Sequence, residues 1–508
     1  MLESLGWAGV ALQIMALTFV FVIGAAVLAA LVLYIVDRSQ SRDAIRRNYP
    51  VIGRFRKIFT ELGTFFRQYF FAMDREELPF NRAQRNWVDR ASKGKSNVAP
   101  FGSTRNIALP GTTLFANAAF PPIDDQYAAS EPLLIGPGAR TPYNANSFFN
   151  ISGMSYGALS APAVRALSRG AKTAGIWMNT GEGGLSPYHL EGGCDIVFQI
   201  GTAKYGVRTP DGALSDEKLR EIAGHEQVRM FEIKLAQGAK PGKGGILPAE
   251  KVGEEIARIR GIPVGEASIS PNRHPEMKGW TDLLDMIDHV REVTGKPVGI
   301  KTVIGSVEVF RELFEAIRER GAASAPDFIT IDGGEGGTGA SPQPLMDLVG
   351  MPIREALPHA VDLRDEFGLH DRIRIVSSGK MVNPSDIAWA IATGADFVTC
   401  ARGFMFSLGC IQAMRCHKNT CPTGVTTHDP HLQKGLVVRE KEDRVANYAA
   451  QIVKEVETIA HSVGVSEPRQ LRRRHMRIVL PDGQTRPMSE LYPSVMPEPK
   501  PETSPDAA

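Results

Sequence analysis

Three of the five cysteines in the chain fall in one short stretch, at Cys410, Cys416 and Cys421. An odd group of thiols in a long chain does not suit a disulfide framework. Three neighbouring thiolates suit an iron–sulfur cluster, and a last ligand followed by proline, as in Cys421-Pro422, is common in such loops. Zinc is an alternative, although zinc sites usually use four ligands and closely spaced pairs. Buried, unreactive cysteines are a third alternative, and the spacing alone leaves all three open.

Two apolar segments directly upstream, residues 373–376 and 397–399, each lead into a polar turn that contains glycine. Backbone N–H groups at helix N-termini favour anions. The last two strand–helix units of a (β/α)8 barrel frequently form a phosphate site. Either glycine alone could be an ordinary turn residue, whereas the pair of turns predicts a phosphate cup. Its members are Ser378, Gly379, Lys380, Arg402 and Gly403.

Two lysines, Lys234 and Lys301, stand at the ends of other strand-like segments. A lysine inside an apolar strand is costly to bury without a partner. At the carboxyl end of a strand it can instead face a substrate carboxylate or another bound anion. A structural lysine held in a salt bridge is the alternative for each of them.

A glycine-rich run at residues 332–340 contains a formal G-x-G-x-x-G at Gly334, Gly336 and Gly339. It follows a strand-like segment, as a dinucleotide fingerprint does. However, two prolines come soon after the run, and they do not open the long helix that such a site requires. We therefore reject a dinucleotide-binding interpretation. No other segment resembles a nicotinamide site, so electrons are expected from another protein.

Strand-like and helical segments alternate through the middle of the chain, which predicts an α/β protein with a parallel sheet. Eight strands predict closure into a (β/α)8 TIM barrel. The predicted strands lie at 148–155, 176–180, 230–235, 265–269, 298–303, 328–331, 373–376 and 397–399. The predicted helices lie at 161–174, 249–260, 281–294, 307–320 and 384–393.

Residues 5–36 are almost wholly apolar and long enough to cross a bilayer. A cleaved signal peptide is the alternative, but it would have a basic start and a shorter apolar run. The arginines that follow predict an uncleaved, single-pass anchor with the rest of the chain in the cytoplasm. They are Arg38, Arg42, Arg46 and Arg47.

Three further segments complete the predicted organisation. Residues 37–110 form a basic, aromatic juxtamembrane extension and linker, which either lies in the membrane interface or packs on the barrel as helices. Residues 111–465 form the barrel with its cysteine loop. Residues 466–508 turn basic and then proline-rich, which predicts a disordered tail.

Composition excludes some functions. The formal net charge of +2 gives no electrostatic reason to expect a nucleic-acid partner. Few cysteines without a pairing pattern suggest that the main domain resides in a reducing compartment.

The cysteine loop resembles the cluster loop of glutamate synthase large subunits. The resemblance rests on Gly409-Cys410, Arg415-Cys416-His417, Asn419, Cys421-Pro422 and Gly424. In that family the loop holds a [3Fe-4S] cluster beside an FMN-binding barrel. The resemblance therefore implies that Cys410, Cys416 and Cys421 are cluster ligands and that the phosphate cup belongs to FMN. It also implies FMN contacts from Gly334 and Gly337, because 332–342 is similar to the family's D-G-G-T-G-A-S-P run, and from Ser152 and Met154, where the first strand-like segment enters a loop.

Further motifs imply a substrate site. Glu182 stands in a stretch like the family's N-T-G-E-G-G loop, which lies near the substrate, and Lys240 stands in Q-G-A-K-P-G, whose lysine contacts 2-oxoglutarate. Arg260 matches a second carboxylate-binding residue by position. The resemblance thus implies a catalytic role for Glu182 and substrate binding by Lys240 and Arg260, while the strand-end positions of Lys234 and Lys301 predict catalytic roles for these lysines. Three departures put the exact substrate in doubt, and they are Lys243, Ile246 and residues 271–275.

The resemblance extends over residues 95–465. An apolar segment stands where glutamate synthases carry a glutaminase, so the chain is identified as a stand-alone member of the family. The implied reaction is reductive amination of 2-oxoglutarate, or a related keto acid, to glutamate by an oxidoreductase acting on CH–NH2 donors. Ammonia comes free or from a separate glutaminase subunit, and electrons come from ferredoxin or an NAD(P)H-oxidising subunit. Two alternatives are an N-methylglutamate synthase-like subunit and a membrane-anchored electron-transfer flavoprotein without a substrate. The expected location is the inner (cytoplasmic) membrane.

Overall fold

The computed structural model describes residues 6–40 and 44–496. The chain divides into two compact units, Met1–Ala83 and Gln84–Ala508. We call them unit 1 and unit 2 and describe each by itself.

Unit 1 is helical. Its helices are α1 (Gly6–Ser39), α2 (Ala44–Asn48) and α3 (Phe55–Phe66), and a π-helical segment, Arg67–Phe71, continues α3. Helix α1 has 34 residues, a mean hydropathy of 2.9 over its most apolar window, and no burial in that window. At 1.5 Å per residue it is about 51 Å long, more than the ~30 Å of a bilayer core. The apolar helix predicted at 5–36 is therefore present, and it is long and apolar enough to cross a membrane.

The described residues of unit 2 form fifteen strands and the remaining helices. The strands are β1 (Thr113–Phe115), β2 (Leu133–Ile135), β3 (Tyr143–Ala145), β4 (Phe149–Ile151), β5 (Met178–Asn179), β6 (Ile196–Ile200), β7 (Val228–Lys234), β8 (Ile246–Leu247), β9 (Ser268–Ile269), β10 (Val298–Thr302), β11 (Phe328–Asp332), β12 (Arg374–Ser378), β13 (Phe397–Cys400), β14 (Met476–Val479) and β15 (Thr485–Pro487).

The helices, of which the first spans the boundary between the units, are α4 (Arg82–Ser92), α5 (Ala161–Ala174), α6 (Pro187–Leu190), α7 (Asp216–Gly224), α8 (Glu254–Arg260), α9 (Trp280–Thr294), α10 (Val307–Arg320), α11 (Gln343–Leu348), α12 (Ile353–Glu366), α13 (Pro384–Thr393), α14 (Arg402–Ser407), α15 (Pro430–Gln433), α16 (Val438–Ser462) and α17 (Met488–Leu491).

Eight parallel strands close into a barrel, which confirms the predicted TIM fold. Around the barrel the order is β4-β5-β6-β7-β10-β11-β12-β13, and β13 pairs with β4 to close it. Local sequence sets the helix boundaries between the strands. For example, the Ser160 hydroxyl accepts a hydrogen bond from the Ala163 N–H at the start of α5, and Gly175 ends that helix in the left-handed conformation.

One predicted barrel strand is wrong and one is missing from the prediction. Residues 265–269 do not enter the barrel, because β9 pairs antiparallel with β8 in a small sheet of its own. The barrel strand absent from the prediction is β6, whose five residues are all buried.

The amino-terminal end of the barrel is closed by a hairpin. Strands β2 and β3 pair antiparallel, and their apolar side chains pack on residues near the starts of the barrel strands. Trp177 and Phe397 meet in this core, with ring centroids 5.0 Å apart. The carboxyl ends of the strands are left to form a site, as is usual in this fold.

The disordered tail predicted from residue 466 needs correction over 466–496. Strand β14 pairs with both β1 and β15, so this segment folds back onto the start of unit 2. The basic run that suggested disorder includes Arg473, which is buried and lies 2.7 Å from Asp362. The proline-rich end, residues 497–508, lies outside the described residues.

The described part of the helical extension that belongs to unit 2 packs against α16. The indole N–H of Trp87 donates to Glu455 at 3.1 Å, and Arg444 lies 2.9 Å from Asp89. The packing alternative predicted for this extension therefore holds for residues 84–92.

Candidate active site

Two adjoining clefts open at the carboxyl end of the barrel. The larger has an empty volume of about 980 Å3, and we call it the substrate cleft. The smaller has about 550 Å3, lies over the last barrel strands, and is called the cofactor cleft. Lys234 and Arg402 line both, so the two clefts are continuous. Most of the residues predicted as functional line one or the other, although they come from distant parts of the chain.

Glu182 and Lys234 form an ion pair in the substrate cleft. Oε1 of Glu182 lies 3.1 Å from Nζ of Lys234, which also donates to Oε1 of Gln237. Burial raises the pKa of Glu182, but the positive charges of Lys234, Lys240 and Arg260 outweigh burial and hold the pKa below its usual value. The carboxyl group is therefore ionised at neutral pH and partly neutralises a strongly cationic cleft.

Lys240 and Arg260 bring further positive charge to this cleft. Lys240 is 3% exposed, and burial lowers its pKa to about 8. Its Nζ lies 3.4 Å from the carbonyl oxygen of Ala340. Arg260 donates to the Ser268 hydroxyl at 3.0 Å and stacks over the Tyr205 ring. Among the described residues that line the substrate cleft, Glu182 is the one carboxylate, so the cleft suits an anionic ligand.

The apolar wall of the substrate cleft includes Ile246, which departs from the family's motif. Ile246 and Leu247 form β8, and Pro248 follows them on the same wall. This wall stands beside the cationic residues, so the cleft offers both charge and an apolar surface.

The cofactor cleft combines small residues with cations. Lys301 lies 3.6 Å from Asp332, and Arg402 donates to the carbonyl oxygen of Thr338 at 2.9 Å. The buried hydroxyl of Thr399 lines this cleft and has no hydrogen-bond partner. A buried polar atom without a partner is uncommon, and here it suits a polar ligand. The predicted residues on the wall of this cleft are Ser152, Lys301, Gly337, Ser378, Gly379, Lys380 and Arg402.

The two glycines of the predicted phosphate cup, Gly379 and Gly403, are required for different structural reasons. Gly379 has φ +116°, and a Cβ there would come within 2.9 Å of the backbone nitrogen of Gly333. A Cβ at Gly403 would overlap the hydroxyl of Tyr448, and the Gly403 N–H donates to Sγ of Cys400 at 3.2 Å. The need for glycine at 403 thus comes from helix packing.

Gly334 and Gly403 do not line either cleft, unlike the other residues predicted to contact FMN. Gly334 belongs to the glycine-rich run but lies outside both clefts, and its N–H donates to the carbonyl oxygen of Met351 at 2.8 Å. Met154, the remaining predicted contact, lines the substrate cleft.

The cysteine loop follows α14 and reaches the substrate cleft, where Cys416 and His417 form part of the wall. Burial raises the pKa of the Cys410 thiol to about 11, and the nearby Cys416 and Cys421 thiols contribute to the rise. Hydrogen bonds, chiefly from Thr423, hold the pKa of the Cys421 thiol below its usual value despite burial.

The backbone of this loop is unusual, because three residues other than glycine have positive φ. They are Gln412, Met414 and Asn419. Such conformations persist only where the surrounding structure holds them, and they concentrate at functional sites.

Three thiols near one another fit a thiolate-held cluster in the type and number of donors. Within residues 6–40 and 44–496, however, no group of three or more Cys, His, Asp or Glu side chains is arranged to hold a metal ion. Cys400 lies apart, buried against Tyr448.

Several residues at the site are absent from the sequence prediction. Lys251, 2% exposed, donates to the carbonyl oxygens of Thr426 and Ala158 on the wall near the cysteine loop. His274 donates from Nε2 to the Lys234 carbonyl oxygen at 3.1 Å, and burial lowers its pKa to about 4, so it is neutral.

A polar layer lies inside the barrel beneath the clefts, and the sequence prediction omits it as well. Glu232 accepts hydrogen bonds there from Asn179, Gln199 and Thr330, at 2.9, 2.6 and 2.7 Å. Gln199 also lines both clefts, so Glu232 fixes its amide.

Comparison with known proteins adds to this geometry. A family model described as a conserved region in glutamate synthase matches residues 128–466. The glutamate synthase large subunit-like protein YerD of Bacillus subtilis (strain 168) is 42% identical over 490 residues, covering 89% of this chain and 93% of that protein. The archaeal-type glutamate synthase [NADPH] of Thermotoga maritima is 37% identical over 321 residues, covering 63% of this chain and 60% of that protein. Among solved structures, mandelate oxidase aligns with a TM-score of 0.47 and 16% identity, covering 78% of this chain and 98% of that one.

Proposed function

Because this chain belongs to the glutamate synthase family, we propose that it is a flavin-dependent oxidoreductase that reductively aminates a 2-oxo acid, with 2-oxoglutarate giving glutamate. One observation carries the proposal: the Glu182–Lys234 pair, at 3.1 Å, stands beside two further buried cations in a cleft that continues into the cofactor cleft.

Lys240 and Arg260 bind the substrate through its carboxylates. Charge-assisted hydrogen bonds to carboxylates are among the stronger ones available to a protein. Both side chains are almost fully buried, so water screens their charges little. The apolar wall that includes Ile246 packs on the carbon chain of the substrate. The departure at this position therefore affects which 2-oxo acid is preferred and leaves its carboxylates bound.

The Glu182–Lys234 pair moves protons during amination. Addition of ammonia to the C2 carbonyl and loss of water to give the imine move two protons from nitrogen to the departing oxygen. In each transfer the ionised carboxylate of Glu182 accepts a proton from nitrogen and Nζ of Lys234 supplies one to oxygen. Proton transfer from Glu182 to Lys234 within the ion pair restores both groups. A paired, buried acid and base with opposed charges is an arrangement suited to such transfers.

The residues of the cofactor cleft fit FMN. Lys380 and Arg402 would provide positive charge for its phosphate, Ser152 and Ser378 would provide hydrogen-bond partners, and Lys301 would add positive charge on the same wall. Thr399, whose buried hydroxyl lacks a partner, adds a donor at the same wall. Bound FMN supplies the two-electron redox chemistry that side chains lack.

Cys410, Cys416 and Cys421 hold a [3Fe-4S] cluster in this proposal. The Cys416 and Cys421 thiols add to the rise in the pKa of the Cys410 thiol, and Cys416 lies on the wall of the substrate cleft, which supports a cluster close to the flavin. Electrons come from a separate donor, which is ferredoxin or an NAD(P)H-oxidising subunit. Ammonia is free or comes from a separate glutaminase subunit.

Helix α1 anchors the protein in the cytoplasmic membrane, with unit 2 in the cytoplasm. The length and apolar composition of α1 support this, as does Arg38 at its end.

The test begins with anaerobic purification and an absorption spectrum for flavin and iron–sulfur. Chemically reduced enzyme is then mixed with a panel of 2-oxo acids plus ammonium or methylamine, and the products are identified by mass spectrometry. Glutamate from 2-oxoglutarate and ammonium is the expected product, and Lys240→Met should lose it while retaining flavin. Exclusive use of methylamine would assign N-methylglutamate synthesis instead. Electron transfer to dyes with no amino acid formed from any 2-oxo acid would refute an amination function.

A further inference from the structure

Helix α3 and the segment after it expose an apolar stripe, which we call the aromatic stripe. Phe55 and Phe59, one turn apart, are 50% and 67% exposed, and the stripe ends at Phe71, which is 75% exposed. The members on α3 follow the spacing of one helix face, and the three consecutive aromatic residues at 69–71 extend the exposed apolar surface beyond it. They are Phe55, Ile58, Phe59, Leu62, Phe66, Tyr69, Phe70 and Phe71.

The opposite face of α3 is polar and includes Glu61, which is exposed. With 12 residues, α3 is about 18 Å long, well short of the ~30 Å needed to cross a bilayer. A short helix with one apolar and one charged face is typical of segments that lie in the plane of a membrane interface.

A buried carboxylate ties this helix to the end of α1. Asp37 accepts hydrogen bonds from Arg46 at 2.6 Å and from Arg54 at 2.7 and 2.8 Å. Its second oxygen also accepts the Val51 N–H at 3.0 Å. Both guanidinium groups cover Asp37, whose side chain has no exposed surface. Because Arg54 directly precedes α3, this ion cluster sets where α3 starts relative to the end of α1.

The turn held by Asp37 is strained. Val51 has φ +65°, which is rare for a β-branched residue. Such a conformation is energetically costly and persists only when its surroundings determine it. The hydrogen bond from Val51 to Asp37 is one such determinant. The backbone at Val51, shortly before α3, is therefore held by Asp37 near the end of α1.

We propose that α3 and Arg67–Phe71 lie in the headgroup layer of the leaflet at which α1 ends, held there by Asp37, with the aromatic stripe facing the acyl chains. This inference rests on the membrane anchor proposed above. Lipid is favoured as the occupant of the stripe because α1 itself exposes apolar surface along its length. In addition, the ion cluster around Asp37, which we call the clamp, keeps α3 beside the end of α1. Arg38 and Arg47, which are exposed nearby, add attraction to anionic headgroups.

The experiment uses the full chain in vesicles of phosphatidylethanolamine and phosphatidylglycerol. A photo-crosslinking benzoylphenylalanine is placed at Phe59 on the stripe or, as the matched control, at Glu61 on the polar face. Lipid adducts are expected at Phe59 in several-fold excess over Glu61. Equal yields at both positions would overturn the inference, as would Phe59 crosslinks to residues 84–496 of the same chain or to another protein.

A second variant tests the clamp. Asp37→Ala should reduce lipid adducts from Phe59, while flavin content, which depends on unit 2, stays unchanged. Unaltered adducts in Asp37→Ala would refute the role of the clamp. Alkaline carbonate extraction separates this inference from its premise. Release of the wild-type chain into the supernatant would refute the anchor and the inference together, whereas retention without lipid adducts at Phe59 would refute the inference alone.

Discussion

The affinity of the substrate cleft for 2-oxoglutarate should fall as pH rises through about 8, because Lys240 loses its charge there. The pKa of this lysine is about 8, because burial and the charge of Lys234 together lower it more than Glu182 raises it. An anionic ligand stabilises the protonated form, so affinity is fully present below this pKa and is lost above it.

The size of the effect follows from the fraction of protonated Lys240. With a pKa of about 8, that fraction falls from about 0.9 at pH 7 to about 0.1 at pH 9. If only the protonated form binds, Kd rises about tenfold across this interval, which corresponds to ~1.4 kcal/mol. Lys240→Met should weaken binding at pH 7 by ~1.5–3 kcal/mol, the usual value of a hydrogen bond to a charged group.

Isothermal titration calorimetry of the oxidised protein with 2-oxoglutarate at pH 7, 8 and 9 measures these affinities. Lys240→Arg, which keeps its charge throughout, should bind with little dependence on pH. Glu182→Gln should move the midpoint below pH 8, because the carboxylate that raises the pKa of Lys240 is gone. The reasoning is refuted if Lys240→Arg loses affinity in parallel with the wild type, or if Lys240→Met binds as tightly as the wild type at pH 7.

Three further outcomes are expected. Replacing any one cysteine of the loop with serine should remove the iron–sulfur signal, whereas Cys400→Ser should leave the iron content unchanged; zinc without iron in the wild type would contradict this. Arg402→Met should lower flavin occupancy without changing thermal stability. Gly403→Ala should instead lower the melting temperature, because the added Cβ would overlap Tyr448. Equal flavin content in the wild type and Arg402→Met would show that the phosphate cup lies elsewhere. Deleting unit 1 should yield a protein that still binds flavin, because both clefts are lined by residues of unit 2, and loss of flavin would be the contrary result.

The barrel could be predicted from sequence because most of its strands are apolar runs bounded by glycine turns and separated by helical segments. Strand β6 was the exception, since Gln199 interrupts its apolar run and no long helix separates it from β5. The segment at 265–269 has strand-like residues, but its partner is β8, and local sequence does not carry that pairing. Likewise, the sequence predicts a solvated charge at Arg473, because its partner Asp362 is far away in the chain and only the fold brings the two together.

Motifs marked Glu182 and Lys240 in the sequence, and the fold brings both to the substrate cleft. No motif marked Lys251 and Glu232, because their contacts are with residues that are distant in the chain. Lys251 sits in an ordinary polar stretch, and only the fold brings it to carbonyl oxygens of two other loops. Glu232 was visible as a charge in an apolar strand, but its three neutral donors come from three other strands.

The closure of the barrel through β13 and β4 bears on when the flavin proposed above could bind. The Ser152 N–H donates to the Cys400 carbonyl oxygen at 3.1 Å, so the two walls of the cofactor cleft come from opposite ends of the barrel sequence. During synthesis, a nascent chain that ends before Phe397 has an open sheet, with β4 and β12 as unpaired edges prone to association. The cleft therefore forms only after the last barrel strand leaves the ribosome. A ligand that binds only the closed barrel then favours closure by mass action, so flavin supply in the cell should govern how much of the newly made chain escapes aggregation and proteolysis.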